Sequence, residues 1–235
     1  MKAGLIAAGH GERLRAAGIT VPKPLVEVAG RPLIDHVLDA VAASGIEELV
    51  CLFNQEADAV AAYCRARQRG PRLQILRRTT PSSMESLFTI APHLRDGRFL
   101  LLTVDAVFAP AVLGDFLAAA DVRADADVVL AVTDFVDDEK PLRLTLAPDG
   151  RVTALGAGAA ASPLVTAGFY VFHPRVFDQV DAARAARLES LRAWLGHLRE
   201  RGFRIDGVRT GKTIDVDRPE DIAAADAFVR SGFAP

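Results

Sequence analysis

Short apolar runs alternate along this chain with segments whose apolar positions recur every three to four residues. Residues 3–8, 48–53, 73–76, 99–104 and 127–133 are the runs, and each predicts a β-strand. Residues 33–43 carry Leu33, Val37, Leu38 and Val41 at helical spacing, and 57–67, 83–94 and 112–120 also predict helices. The run at 99–104, FLLLTV, is apolar on both faces, which predicts a strand in the middle of a parallel sheet. This β-α-β-α order predicts an α/β fold, a mainly parallel sheet with helices on both sides.

The pattern changes after residue 135. Residues 142–147 and 151–155 flank Pro148-Asp149-Gly150, a turn signal, and predict a hairpin. Residues 156–163 read as a loop, and 164–172, LVTAGFYVF, as a buried strand. Leu188, Leu191, Leu195 and Leu198 keep a helical stripe with Trp194 beside it, so Trp194 reads as core packing. Residues 203–208 predict a late strand. Residues 219–229 predict a closing helix, with Pro219 in its first turn and Asp217 near its N-cap. No internal repeat or long linker interrupts the chain. It reads as one domain over 1–235, a parallel first part (1–135) and a mixed second part (136–235).

Composition narrows the function classes. The 235 residues are 50% hydrophobic and 25% charged with a net charge of -2, ordinary for a soluble globular protein. No basic excess points to nucleic acid. The uncharged run 152–174 is too weakly apolar, and too broken by Gly and Pro, to cross a membrane. Charge returns at Glu12 and Arg13 with no polar stretch after the first apolar run, so no signal peptide is expected. Only Cys51 and Cys64 occur. They read as reduced thiols, and the expected location is cytoplasmic.

The most informative stretch follows the first strand. A Gly-rich turn there places backbone N–H groups at the C-terminal edge of the sheet, where open α/β sheets bind ligands and where phosphate oxygens can be cradled. Gly9 and Gly11 permit close approach, and Arg13 and Lys23 supply charge. The dinucleotide motif G-x-G-x-x-G is excluded by Leu14, and no G-x-x-x-x-G-K-[ST] run is present.

The composite Ala8-Gly9-His10-Gly11-Glu12-Arg13, Pro22-Lys23-Pro24-Leu25 and Val28-Ala29-Gly30-Arg31-Pro32-Leu33-Ile34 resembles the nucleotidyltransferase family that makes nucleoside-diphosphate sugars and related activated alcohols. The resemblance extends to Thr103-Val104-Asp105, to Thr166-Ala167-Gly168-Phe169-Tyr170 and to Thr213-Ile214-Asp215-Val216-Asp217-Arg218-Pro219-Glu220-Asp221. It departs at Val104, where glycine is commoner, and at Glu12, where Thr or Ser is commoner. It implies a Rossmann-like mixed, mainly parallel sheet, a nucleoside triphosphate (NTP) and a phosphorylated small-molecule acceptor as substrates, and Mg²⁺ as cofactor. By the same resemblance Arg13 and Lys23 are catalytic, and Ala7, Ala8, Gly9, His10, Gly11 and Glu12 line the nucleotide. Ser82, Ser83 and Ser86 face its base. Asp105 binds metal with Asp215 or Asp217, Thr166 and Gly168 border the acceptor, and Lys140 or Lys212 reaches the acceptor phosphate.

Plainer readings stand beside these. Asp217, Ser82 and Ser83 could be helix caps only. His10 could be a solvent-exposed loop residue, and Lys140 could pair with its acidic neighbours. The leading expectation is transfer of a nucleoside monophosphate (NMP) to a sugar 1-phosphate. The alternatives are a cytidylyltransferase using an alcohol phosphate such as phosphocholine, and a nucleotide-binding module without catalysis. A glycosyltransferase would predict Asp-x-Asp after the central strand, where only Asp105 stands. A homo-oligomer is compatible with the sequence, which does not fix the base, the acceptor or the oligomeric state.

Overall fold

The computed structural model describes residues 1–135 and 141–234. The chain runs β1 (Lys2–Ala7), α1 (Glu12–Ala16), β2 (Glu27–Val28), β3 (Arg31–Pro32), α2 (Leu33–Ala43), β4 (Glu48–Phe53), α3 (Asp58–Ala66) and β5 (Arg72–Arg77). It continues through α4 (Ser83–Ile90), β6 (Phe99–Thr103), β7 (Ala106–Phe108), α5 (Pro110–Asp121), β8 (Val128–Thr133), β9 (Leu144–Leu146) and β10 (Val152–Leu155). The last elements are β11 (Val165–Phe172), α6 (Val180–Ala185), α7 (Leu191–Glu200), β12 (Ile205–Arg209), β13 (Thr213–Asp215) and α8 (Pro219–Arg230).

A seven-stranded sheet in the order β12-β8-β11-β6-β1-β4-β5 takes strands from both parts of the chain. Its pairings are parallel except for β11, which runs antiparallel to both β6 and β8. Side chains alternate along each strand, so each strand feeds two cores. Leu100 and Leu102 of β6 pack with Val37, Leu38, Val60, Leu113 and Phe116 of α2, α3 and α5. Leu101 packs on the other face with Leu87 and Ile90 of α4 and Trp194, Leu195 and Leu198 of α7. This explains why β6 and β8 are apolar up to their final threonines. The parallel neighbours expected on both sides of β6 are not needed for it, because helices cover both faces whichever way β11 runs.

Most boundaries agree with the pattern reading. α4 ends at Ile90 rather than continuing to 94 because Pro92 tightens residues 91–93 into a 3-10 turn. α7 starts at Leu191, leaving Leu188 outside, because the Ser190 hydroxyl accepts from the Ala193 N–H at 3.1 Å and caps it. Trp194 is fully buried, edge-on to Phe88 at 5.1 Å and stacked on Phe172 at 5.8 Å, as expected of core. The expected hairpin is β9 with β10. The loop expected at 156–163 contains a 3-10 turn over Gly156–Ala159.

Among the described residues no helix is long and apolar enough to cross a membrane. Both cysteines are buried free thiols, and burial pushes Cys64 up to about 11 and Cys51 higher still.

Candidate active site

Two pockets open at the C-terminal ends of β1 and β6 and share Thr103 and Asp105. The larger, about 480 Å³, is lined by the turn 7–13, by Lys23 and Pro24, by residues 80–83 and Ser86, and by Asp217. The smaller, about 180 Å³, is lined by Thr133, Phe135, Thr166, Gly168, Tyr170, Arg192, Thr213 and Asp215, among others.

The first pocket is built by the opening stretch. β1 delivers Ala7 and buried Ala8 to the sheet edge, and the Asn54 amide donates to the Gly9 carbonyl at 3.3 Å. Gly11 has φ +61° and starts α1, and a Cβ there would lie 3.3 Å from the Lys23 Cβ. Glycine therefore supplies the left-handed turn and lets the Pro22-Lys23-Pro24 segment close over it. His10, Glu12 and Arg13 are exposed along the rim.

Lys23 lines the larger pocket and is bound to Asp105, which lines both. Its side chain is 11% exposed, and its ammonium donates to Asp105 Oδ2 at 2.7 Å and to Asp217 Oδ1 at 2.5 Å. The Arg13 guanidinium donates to the other Asp217 oxygen at 3.0 Å. Burial by itself would lower the Lys23 pKa, but the Asp105 and Asp217 carboxylates outweigh it and hold Lys23 above the ordinary lysine value. Burial would likewise raise the Asp105 carboxyl, and the Lys23 ammonium outweighs it in the opposite direction.

The backbone sets this geometry. The Val216 N–H donates to the Asp105 carbonyl at 3.0 Å, and β13 pairs with β7 so that Asp215 faces Ala106. Asp215 and Asp217 thus flank Asp105 from opposite pockets. Asp217 is not the cap of α8. The Asp221 carboxylate reaches back to the Asp217 and Arg218 N–H groups at 2.8 and 2.7 Å, which leaves the Asp217 carboxylate to Lys23 and Arg13. Asp215 lines the second pocket with Asp105. Among the described residues no three His, Cys, Asp or Glu side chains converge as a metal cage.

The serine loop has structural work of its own. Ser82 caps α4 by accepting from the Glu85 N–H at 3.2 Å. The Ser83 hydroxyl accepts from the Leu191 N–H at 3.4 Å, and Ser86 is hydrogen-bonded with Thr80 at 2.6 Å. All three serines line the first pocket, so the cap of α4 at Ser82 also forms part of the pocket wall.

In the second pocket Gly168 has φ +83° at the register shift of β11, and a Cβ there would lie 2.9 Å from the Ala106 Cβ and 3.2 Å from Thr103 Oγ1. Burial pushes the Tyr170 phenol up to about 12, with the Thr166 hydroxyl acting against it. Lys212 does not line either pocket. Its ammonium lies over the Phe135 ring at 4.3 Å and the Phe228 ring at 5.1 Å. Lys140 lies outside the described residues. Sequence reasoning missed Thr133, Arg192 and Thr213 as lining residues. Thr213 stood beside the recognised acids, whereas Arg192 carried no signal because it lies on the polar side of a helical stripe.

Known proteins place these features. Residues 3–204 match the model of the MobA-like NTP transferase domain. The UTP–glucose-1-phosphate uridylyltransferase of Haloferax volcanii is 30% identical over 94% of this chain and 93% of its own length. The CMP-5'-(3-aminopropyl)phosphonate synthase of Streptomyces rubellomurinus is 34% identical over 60% of this chain, which spans 25% of that protein. Among solved structures, the inositol-1-phosphate CTP transferase from T. maritima superposes with a TM-score of 0.82 at 19% identity, covering 100% of this chain and 98% of that one. A UDP-glucose pyrophosphorylase complexed with UDP-glucose gives 0.83 at 17% identity, covering 99% of each chain. The mixed, mostly parallel sheet is that of the nucleotide-diphospho-sugar transferases. Matched over most of its length by the domain and along nearly all of it by the haloarchaeal relative, the chain belongs to the MobA-like NTP transferase family of nucleotidyltransferases.

Proposed function

We propose that this chain transfers NMP from an NTP to a sugar 1-phosphate and releases pyrophosphate. The observation that supports the proposal is Lys23, which lines the larger pocket between Asp217 and Asp105, the acid that both pockets share. A triphosphate in the larger pocket meets that ammonium, and an acceptor in the smaller one presents its phosphate towards it past the shared Thr103 and Asp105. The acceptor oxygen attacks the α-phosphorus in line as pyrophosphate leaves. Lys23 brings the two anions together, and Arg13 with the backbone N–H groups of residues 9–11 takes up charge on the leaving group. Bases rest against residues 80–83, which the Ser82 cap and the Thr80–Ser86 hydrogen bond hold in shape.

A divalent cation fits the acids. Asp105 and Asp215 line the smaller pocket together and Asp105 also lines the larger one, so this pair is the one that would hold Mg²⁺. Magnesium takes hard oxygen ligands and is commonly bound by one or two carboxylates plus phosphate oxygens and waters. When bound it supplies neutralising charge to the phosphates. A second reading, cytidylyl transfer to an alcohol phosphate or phosphonate, is favoured by the Ser-rich loop and by the CMP product in the Streptomyces relative's name.

Thermal unfolding with ATP, CTP, GTP, UTP and dTTP, with and without Mg²⁺, tests the proposal. One nucleotide at a hundred times its Kd adds about 2.7 kcal/mol and raises Tm by roughly 5–10 °C. No shift with any of them at millimolar concentration counts against the triphosphate pocket.

A further inference from the structure

The second pocket carries a buried hydroxyl that the fold leaves unused. Thr213 is 6% exposed, lines the pocket, and its Oγ1 makes no hydrogen bond among the described residues. A buried hydroxyl without a partner costs stability, so its place beside a small cavity calls for an occupant. The neighbouring hydroxyls are already engaged. Thr133 Oγ1 accepts from the Phe135 N–H at 3.2 Å, and Thr103 Oγ1 donates to the Gly168 carbonyl at 3.4 Å.

The aromatic side of the pocket points the same way. An ammonium-bearing acceptor would seek the electron-rich face of a ring. Phe135 lines the pocket, but the Lys212 ammonium already lies 4.3 Å from its ring centroid. A second cation at that ring meets a like charge.

We infer that Thr213 is a specificity-determining residue. Its hydroxyl pairs with a hydroxyl of the acceptor body, and Lys212 on Phe135 denies a cationic body the ring that would hold it, so the acceptor is a neutral polyol phosphate rather than an amino-alcohol phosphate or aminoalkyl phosphonate. The inference rests on the transferase reading above and narrows its acceptor.

The test is pyrophosphate release by the full chain with its preferred NTP, against hexose 1-phosphates, inositol 1-phosphate and their mono-deoxy analogues, and against phosphocholine and phosphoethanolamine. Polyol phosphates are expected to be turned over, with kcat/KM at least tenfold above the ammonium compounds. Thr213→Val keeps the side-chain shape. It is expected to lower kcat/KM for the polyol roughly tenfold, to leave the NTP KM unchanged, and to leave the Tm of the free protein equal or higher, because an unpaired buried hydroxyl is gone. One mono-deoxy acceptor should lose that factor with the wild type and lose nothing more with Thr213→Val. Lys212→Met should narrow the gap between polyol and ammonium acceptors.

Ammonium acceptors turned over as well as polyols overturn the inference and leave the transferase reading standing. So does a Thr213→Val protein with unchanged polyol kcat/KM, or one whose Tm falls as though an internal hydrogen bond had been cut. Nucleotide binding with no turnover of either acceptor class overturns the transferase reading itself, and the inference with it.

Discussion

Replacing Lys23 with Met removes the cation that holds Asp105 and Asp217 together. Lys23 Nζ lies 2.7 Å from one carboxylate oxygen and 2.5 Å from the other, so those oxygens are no farther apart than the sum of the two distances. Two charges at that separation in a medium of effective dielectric near 20 repel by roughly 3 kcal/mol. The carboxylates are 28% and 39% exposed, so solvent screening reduces this to about 1–2 kcal/mol. For a chain of this length the expected fall in Tm at pH 7 is roughly 3–8 °C. Loss of the phosphate contact should lower kcat by about 10²–10³.

The stability loss has a pH signature. Lys23 holds the Asp105 pKa below its unfolded value, so that contribution is fully present above the unfolded pKa of about 4 and is lost as pH falls through the folded one. The Lys23 pKa is raised, so its contribution is present below the unfolded pKa of about 10.4 and is lost as pH rises through the folded one. The wild type keeps the triad across the neutral range. In Lys23→Met, acid protonates one of two repelling carboxylates, so the Tm deficit should shrink from pH 7 towards pH 4.5. Melts at both pH values, with pyrophosphate release at pH 7, provide the check. An equal deficit at both pH values, or turnover within threefold of wild type, would refute the reasoning.

Three further predictions follow from the same geometry. Asp217→Asn should raise the KM for NTP, because Arg13 and Lys23 lose their shared anchor, whereas Asp215→Asn should raise the Mg²⁺ concentration needed for half-maximal rate; initial rates over NTP and Mg²⁺ series separate the two. Gly168→Ala should cost about 1–3 kcal/mol, since it places a Cβ at φ +83° and 2.9 Å from the Ala106 Cβ, and a denaturant titration would read the loss directly. Cys51 and Cys64 should resist thiol reagents in the native protein and both react once it is unfolded, because burial raises both pKa values; labelling of the folded protein at neutral pH would contradict that.

The sheet was legible because β6 and β8 each bury both faces, which leaves an uninterrupted apolar run in the sequence. The turn at 8–13 was legible because Gly11 must be left-handed and sits against Lys23, so spacing and chemistry occur together. The different placements of Asp215 and Asp217 were not legible. They depend on Asp221 taking the α8 cap and on Val216 docking on the Asp105 carbonyl, and both are long-range or backbone facts. The second pocket was only half legible for the same reason. Thr133, Arg192 and Thr213 come from three separate elements or their ends, and only β8, α7 and β13 packing around β11 brings them together.

The most direct test of the central claim is phosphorus NMR of the full chain with the nucleotide that stabilises it, Mg²⁺ and a hexose 1-phosphate. The account predicts pyrophosphate and a diphosphate-linked sugar nucleotide in equal amounts, and neither when the acceptor is left out. Inorganic phosphate with a nucleoside diphosphate, or pyrophosphate released at the same rate without acceptor, would contradict it.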